Sequence, residues 1–490
     1  MTDIPDDACG RPTDAPDEPV AQSSASEPGL PFDALPLPAA MLDTLRQLDY
    51  RTMTPIQAAS LPPALAGKDL IAQAKTGSGK TAAFALTLLT RLNPRRFAVQ
   101  ALVLCPTREL ADQVSQEIRR LARGAENIKV LTLCGGSTMR PQISSLEHGA
   151  HVVVGTPGRI MDHLQRASLD LSALDTLVLD EADRMLDMGF YDDIAFVAKA
   201  CPKARQTLLF SATFPEGIAM LARAFLREPQ QVTLPEQHES SKIRQRFYEV
   251  TNEQRLAAVA LLLKHYRPVS TLAFCNTRQQ CRDLLQVLRA EGFVALALHG
   301  EMEQRERDQV LVQFANRSCS VLVATDVAAR GLDIEQLEAV INVDITPDSE
   351  IHVHRIGRTG RVDQDGWAFS LVSSNQKGRV ANIVKTMGVD VEWRSLNDLQ
   401  ITAGAPLLPP MVTLLILGGR KEKIRPGDVL GALTGEAGFS KEQVGKINVT
   451  DTSTYVAVER SIAKDALRKL SAGSIKGKKV KVHLLSDKGG

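Results

Sequence analysis

Aromatic residues make up only 4% of this 490-residue chain, with two tryptophans and five tyrosines, so a surface built on stacked rings has little to draw on. Long apolar runs are missing too. No stretch approaches the ~18 to 20 apolar residues of a membrane-spanning helix, and the N-terminus is acidic rather than basic and then apolar. We therefore expect a soluble, cytoplasmic protein with no membrane partner. The seven cysteines (Cys9, Cys105, Cys134, Cys201, Cys275, Cys281 and Cys319) contain no CxxC pair. That spacing speaks against both a disulfide framework and a zinc site and favours reduced, buried thiols.

A charge excess of either sign is also absent, since 58 Lys and Arg meet 57 Asp and Glu. The balance conceals unlike regions. Residues 1–31 hold one arginine against seven acids, a net of −6, and residues 408–490 hold 15 Lys and Arg against 8 Asp and Glu, a net of +7. The middle is balanced. Residues 1–31 lack apolar periodicity and cannot bury enough surface to offset ordering entropy, so they read as a disordered acidic tail.

From Phe32 onward, short Val- and Leu-rich runs alternate with amphipathic stretches, the pattern of a parallel sheet covered by helices on both faces. Buried strands are expected at Leu102 to Cys105, Val130 to Leu133, Val152 to Val154, Thr176 to Leu179 and Thr207 to Phe210. After a polar linker, 236–243, the pattern restarts with Thr271 to Phe274, Ala295 to Leu298, Val321 to Ala324 and Val340 to Val343. Two α/β domains, 32–235 and 244–400, would thus enclose a cleft. A second linker, 401–409, precedes a small βαββαβ α+β domain over 410–487.

Three runs carry chemistry. Ala74 to Thr81, AKTGSGKT, follows an apolar strand and precedes a helix, so its backbone N–H groups can converge on phosphate oxygens. Lys75, Thr76, Gly77, Ser78 and Gly79 form the turn, Lys80 would reach the β- and γ-phosphates of ATP, and Thr81 would ligate Mg²⁺. Ala74 stands where the general pattern has glycine. Asp180 to Asp183, DEAD, follows a buried strand, which makes Asp180 the metal carboxylate and Glu181 the catalytic base. His354 to Arg361, HRIGRTGR, would present Arg358 and Arg361 across the cleft to developing phosphate charge.

Together these residues resemble the DEAD-box ATP-dependent RNA helicases, and the likeness runs in order from Phe32 to about Trp393. It implies two tandem RecA-like parallel-sheet domains, and it accounts for Ala74, which is usual there. By the resemblance, Phe32 and Gln57 read adenine and Asp333 binds the ribose of ATP. RNA backbone contacts fall to Pro106 and Arg108 of PTREL, Gly136 of the pair Gly135-Gly136, Thr156, Gly158 and Arg159 of TPGR, Gln304, Arg307, and Thr325 of ATDVAARGLD. Ser211 to Thr213, SAT, couples hydrolysis to RNA binding.

The basic segment, with GGRKEKIRPGD at Gly418 to Asp428, resembles the RNA-binding domain of DbpA-type bacterial helicases, an RRM-like fold. That resemblance implies a 23S-type ribosomal RNA hairpin and pre-50S particles as partners, with no DNA. Its sheet offers Tyr455 as the stacking ring. We therefore expect a loop-based electrostatic reader using Arg420, Lys421, Lys423 and Arg425, with Lys476, Lys478, Lys479 and Lys481 beside them. The resulting expectation is an RNA-dependent ATPase and helicase acting in ribosome assembly. The alternatives are an ATP-gated RNA clamp, or a helicase of mRNA decay or translation.

Overall fold

The computed structural model describes residues 29–74, 77–125, 127–136, 138–233, 243–329, 337–360, 366–388, 391–400 and 407–485. Lys75, Thr76, Asp333, Arg361, most of the N-terminal tail and most of both expected linkers lie outside the described residues.

The first unit is a seven-stranded sheet of β1 (Leu70–Gln73), β2 (Ala101–Leu104), β3 (Val130–Leu133), β4 (Val152–Gly155), β5 (Thr176–Leu179), β6 (Gln206–Ser211) and β7 (Gln230–Thr233), in the order β3-β4-β2-β5-β6-β1-β7. All its pairings are parallel. Because strand side chains alternate between faces, β2 sends Ala101 and Val103 into one core and Leu102 and Leu104 into the other. Helices cover both faces, which is why central strands such as β2 and β4 are apolar throughout rather than alternating.

The second unit repeats the plan with β8 (Ile243–Glu249), β9 (Thr271–Cys275), β10 (Ala295–Leu298), β11 (Val321–Thr325), β12 (Ala339–Asn342), β13 (Gly366–Val372) and β14 (Glu392–Arg394), ordered β10-β11-β9-β12-β13-β8-β14. Strand for strand, the two orders are the same. Both sheets are parallel and both have the RecA-like architecture.

The last unit is an antiparallel sheet of β15 (Met411–Leu417), β16 (Val444–Val449), β17 (Thr454–Glu459) and β18 (Lys481–Leu484), in the order β16-β17-β15-β18. Its helices, Pro426–Gly431 and Ala463–Ala472, pack on the face formed by Leu414, Ile416, Val456 and Val458. The opposite face is closed by the second unit. Thr413 is fully buried there, its hydroxyl 2.7 Å from that of Ser318 and accepting from Asn316 Nδ2 at 3.2 Å. Tyr455 is also buried, in hydrogen-bond contact with Gln309.

None of the helices among the described residues is long and apolar enough to cross a membrane. The cysteines among them (Cys105, Cys134, Cys201, Cys275, Cys281 and Cys319) are reduced and buried.

Candidate active site and RNA-facing surface

The turn after β1 leads into the helix Lys80–Arg91, and its shape rests on glycine. Gly79 has φ +95°, and a Cβ there would lie 2.5 Å from Gln57 Nε2. That contact is functional in form, because Gln57 Nε2 donates to the Gly79 carbonyl at 3.1 Å while its Oε1 accepts from the Thr54 backbone N–H at 2.9 Å. The glutamine thus ties the segment before the turn to the turn itself. Phe32 is 3% exposed, packed edge-on against Tyr50 at 6.2 Å, and borders a small cavity shared with Leu42 and Leu45.

Lys80 is buried, and its ammonium donates to the Ala74 carbonyl. Burial lowers its pKa, opposed by the negative field of Asp180, Glu181 and Asp183. Those carboxylates follow β5. Burial and the neighbouring Glu181 push the Asp180 carboxyl up to about 7. Glu181 has φ +51° and pairs with Arg184 at 2.5 Å.

Asp183 has a different task. Burial opposes its charge, but the backbone N–H groups of Thr213 and Arg184 outweigh it and hold the carboxyl below its usual range. Its Oδ2 accepts from Ala212 N at 3.0 Å, Thr213 N at 2.8 Å and Thr213 Oγ1 at 3.0 Å. The DEAD and SAT runs are therefore one hydrogen-bonded piece.

Across the cleft stands the helix Ser349–Ile356 and the turn after it. A cavity of about 140 Å³ is lined by Glu181, Asp183 and Thr213 on one side and by Asp326, His354 and Arg358 on the other. Burial holds His354 below its usual pKa. The residue that sequence reasoning passed over is Arg355, three positions before Arg358. It is 2% exposed and donates to both oxygens of Asp326 at 2.7 and 2.6 Å, to Asn276 Oδ1 at 3.1 Å and to the Asp344 carbonyl at 2.8 Å. Its guanidinium also lies over the Phe274 ring at 5.1 Å. Arg355 binds the segments around Phe274 to Asn276, Asp326 and its own helix into one block, while Arg358 lines the cleft.

Of the expected RNA contacts, Arg108, Gly136, Gln304 and Arg307 come together across the parallel-sheet units. Pro106 and Thr107 lead from β2 into the helix Arg108–Leu121, where Thr107 Oγ1 accepts from Leu110 N. Arg108 Nη1 donates to Gln304 Oε1 at 2.8 Å, and Arg307 pairs with Glu109 at 3.0 Å, so two links bridge the parallel-sheet units. Gly136, at φ +75°, packs directly on Arg108, and a Cβ there would lie 1.6 Å from the guanidinium. Thr156 starts the helix Pro157–Gln165, which carries Gly158 and Arg159, and Thr325 ends β11.

In the last unit Arg420 is exposed and pairs with Asp451 at 3.6 Å, Lys423 has φ +63°, and Arg425 N–H donates to Asp428 at 2.9 Å. Lys421 follows Arg420 in the same turn, its N–H on the Asp451 carbonyl. Lys476 Nζ donates to the Lys423 carbonyl at 3.0 Å and Lys478 Nζ to that of Glu422 at 3.4 Å, so the two basic clusters form one surface.

Two parallel sheets with phosphate-turn geometry on one and cleft-lining arginines on the other define an ATP-driven motor, and the comparisons say which. The chain matches the DEAD/DEAH box helicase family over residues 54–221, the helicase conserved C-terminal domain over 254–363 and the DbpA RNA binding domain over 413–484. It belongs to the DEAD-box ATP-dependent RNA helicases, and it is of the DbpA type.

Among its relatives, it is 51% identical over 450 residues to the ATP-dependent RNA helicase DbpA of Escherichia coli, covering 92% of this chain and 98% of that one. It is 42% identical over 356 residues to the DEAD-box ATP-dependent RNA helicase CshA of Bacillus cereus, covering 72% of this chain and 68% of that one. A solved structure of S. cerevisiae Dbp5 bound to RNA and ADP BeF3 matches with a TM-score of 0.69 at 31% identity, over 75% of this chain and 96% of that one.

Proposed function

We propose that this helicase is directed by its last unit to a hairpin of large-subunit ribosomal RNA and opens RNA structure there during ribosome assembly in the cytoplasm. The observation that carries the reading is the joined basic surface of Arg420, Lys421, Lys423, Arg425, Lys476 and Lys478. The stacking face of an RRM-like sheet would ordinarily meet bases, but here Thr413 and Tyr455 are buried against the second unit, which leaves the loops as the reader. The 51% identity to DbpA across nearly its whole length supports the same assignment.

In the motor, ATP phosphates would sit on the turn from Ala74 to Gly79, with Lys80 against the β- and γ-phosphates. The donor set fits Mg²⁺: three carboxylates follow one strand, and burial together with the neighbouring Glu181 raises Asp180, a cost that a divalent cation offsets. Thr81 and Asp180 would hold that cation, which when bound supplies neutralising charge at the phosphate oxygens. Glu181 would orient the attacking water and accept its proton, with Arg184 fixing the carboxylate. Arg358, joined by Arg361, would stabilise charge on the transferred group. Dbp5 held together with RNA and ADP BeF3 supports simultaneous binding of nucleotide and RNA here, and a nucleotide that touched both walls would favour the closed cleft.

ATPase stimulation by large-subunit ribosomal RNA and by an unrelated RNA of equal length tests the target. We expect at least tenfold lower half-saturation for the former. Equal half-saturation overturns ribosomal specificity and leaves the general helicase, while RNA binding without strand release under ATP would identify a clamp.

A further inference from the structure

Two RNA-facing elements of the first unit, the Gly135-Gly136 turn and the Thr156 to Arg159 run, come from separate strands, so something must hold their spacing. A glycine turn is soft, and an arginine side chain softer still. Between them lies Gln142, on the helix Met139–Glu147. Its Nε2 donates to the carbonyl of Cys134, the residue before the turn, at 3.0 Å, and its Oε1 accepts from Arg159 Nη1 at 3.0 Å.

The amide orientation follows from chemistry. A carbonyl can only accept and a guanidinium can only donate, so the NH2 must face Cys134 and the oxygen must face Arg159. The same oxygen is 3.0 Å from His163 Nε2, which must therefore carry its proton. His163 Nδ1 is then the acceptor for the Ser168 hydroxyl at 2.8 Å. The imidazole is fully buried, and burial followed by the Arg159 charge lowers its pKa, in keeping with one neutral tautomer. Asp162 lies 3.6 Å from Arg159 Nε and steadies the other side of the guanidinium.

We infer that Gln142, locked in one orientation by His163, is a positioning residue that fixes the distance between the glycine turn and Arg159 and so pre-forms the RNA track of the first unit. The frame continues beyond Gln142, because Gly136 packs on Arg108 and Arg108 bridges to Gln304. The inference rests on the reading that Arg159 grips RNA.

The test is RNA-stimulated ATP hydrolysis by the full chain, using a single-stranded RNA tailed onto a ribosomal hairpin. Gln142→Met should raise the RNA half-saturation by about tenfold, the scale of one charge-assisted hydrogen bond. The KM for ATP and the rate at saturating RNA should stay within twofold. His163→Phe should weaken RNA in the same way, whereas His163→Gln, which keeps a donor near the Nε2 position, should stay within twofold of the parent.

Arg159→Ala separates the two ideas. If it leaves RNA half-saturation unchanged, the reading of Arg159 fails. If it weakens RNA while Gln142→Met does not, the inference fails alone. The double variant should be no weaker than Arg159→Ala itself, and additive losses would show that Gln142 does not act through Arg159. Should Gln142→Met not fold, the His163 pair decides, and equal effects of Phe and Gln there would reduce the histidine to packing.

Discussion

The two parallel sheets share one strand order, yet they differ in the turn that precedes a helix at one equivalent position. After β1 the chain makes a glycine-bearing turn and begins its helix at Lys80, and after β8 it begins its helix at Arg255. Both cations are buried, and each faces an aspartate that follows the equivalent strand, Asp180 after β5 and Asp344 after β12. Lys80 donates to the Ala74 carbonyl and lies in the field of Asp180, Glu181 and Asp183. Arg255 is saturated: it donates to the Val343 carbonyl at 2.7 Å and the Leu371 carbonyl at 3.0 Å, and it pairs with Asp344 at 3.4 Å. Residues 250–254 contain no glycine. In the second sheet the buried guanidinium at the start of its helix is tied to two backbone carbonyls and to Asp344, while Arg358 lines the cleft.

Paired substitutions break or sharpen this contrast. Glu181→Gln should keep ATP and RNA binding and lose about 10²- to 10⁴-fold in turnover, the scale of one general base, with an unchanged melting temperature. Arg255→Met should do the reverse. Leaving Asp344 and two carbonyls without their partner should cost the second unit about 3–5 kcal/mol in denaturant unfolding, while the folded fraction hydrolyses ATP at the parental rate. Loss of hydrolysis without loss of stability in Arg255→Met would mean that the second sheet keeps a nucleotide site of its own.

A further contrast concerns pH. His352 is fully buried beside Phe247, and neither ring nitrogen has a hydrogen-bond partner among the described residues. Burial, then the nearby Arg355 charge, lowers its pKa from 6.5 to about 4. Below 6.5 the unfolded chain takes up a proton that the folded chain refuses, so stability falls as pH drops towards 4 and levels off beneath it. At about 1.4 kcal/mol per pH unit the loss is roughly 3 kcal/mol. Denaturant unfolding of the parent at pH 7 and pH 4.5 should show that loss, and His352→Phe should remove most of it. An unchanged pH dependence in the variant would place the acid sensitivity elsewhere.

What the amino acids disclosed follows from burial on two faces. Leu102 to Cys105 and Leu177 to Leu179 are apolar at every position, and the expected runs fall within one residue of β2 and β5. Strand β8 was not legible, because Arg244, Gln245 and Arg246 make it read as surface. It is a strand because β13 and β14 flank it, and Arg246 rests its guanidinium over the Trp367 ring at 4.7 Å. The same limit applies to the site. Lys80, Asp180 and Glu181 lie in local runs whose chemistry is readable, but Arg355 has its role through Asp326 and Asn276, and Gln142 through residues up to 21 positions away. Such partnerships exist only after folding.

The mildest expected effect separates the balanced sheets from the basic last unit. On the proposed reading the sheets would meet RNA through positioned groups such as Arg108 and Arg159, whose geometry is set by neighbours, whereas Arg420, Lys421, Lys423 and Arg425 sit in one turn with a net of +7 over residues 408–490. Phosphate contacts release counterions at about 0.7 per charge on single strands. Replacing all four by alanine should therefore flatten the plot of log affinity against log salt by about 3. Arg159→Ala should flatten it by less than 1 while costing comparable affinity at one salt concentration, because it removes a fixed contact rather than a field. A slope unchanged by the quadruple substitution would show that long-range attraction comes from the sheets after all.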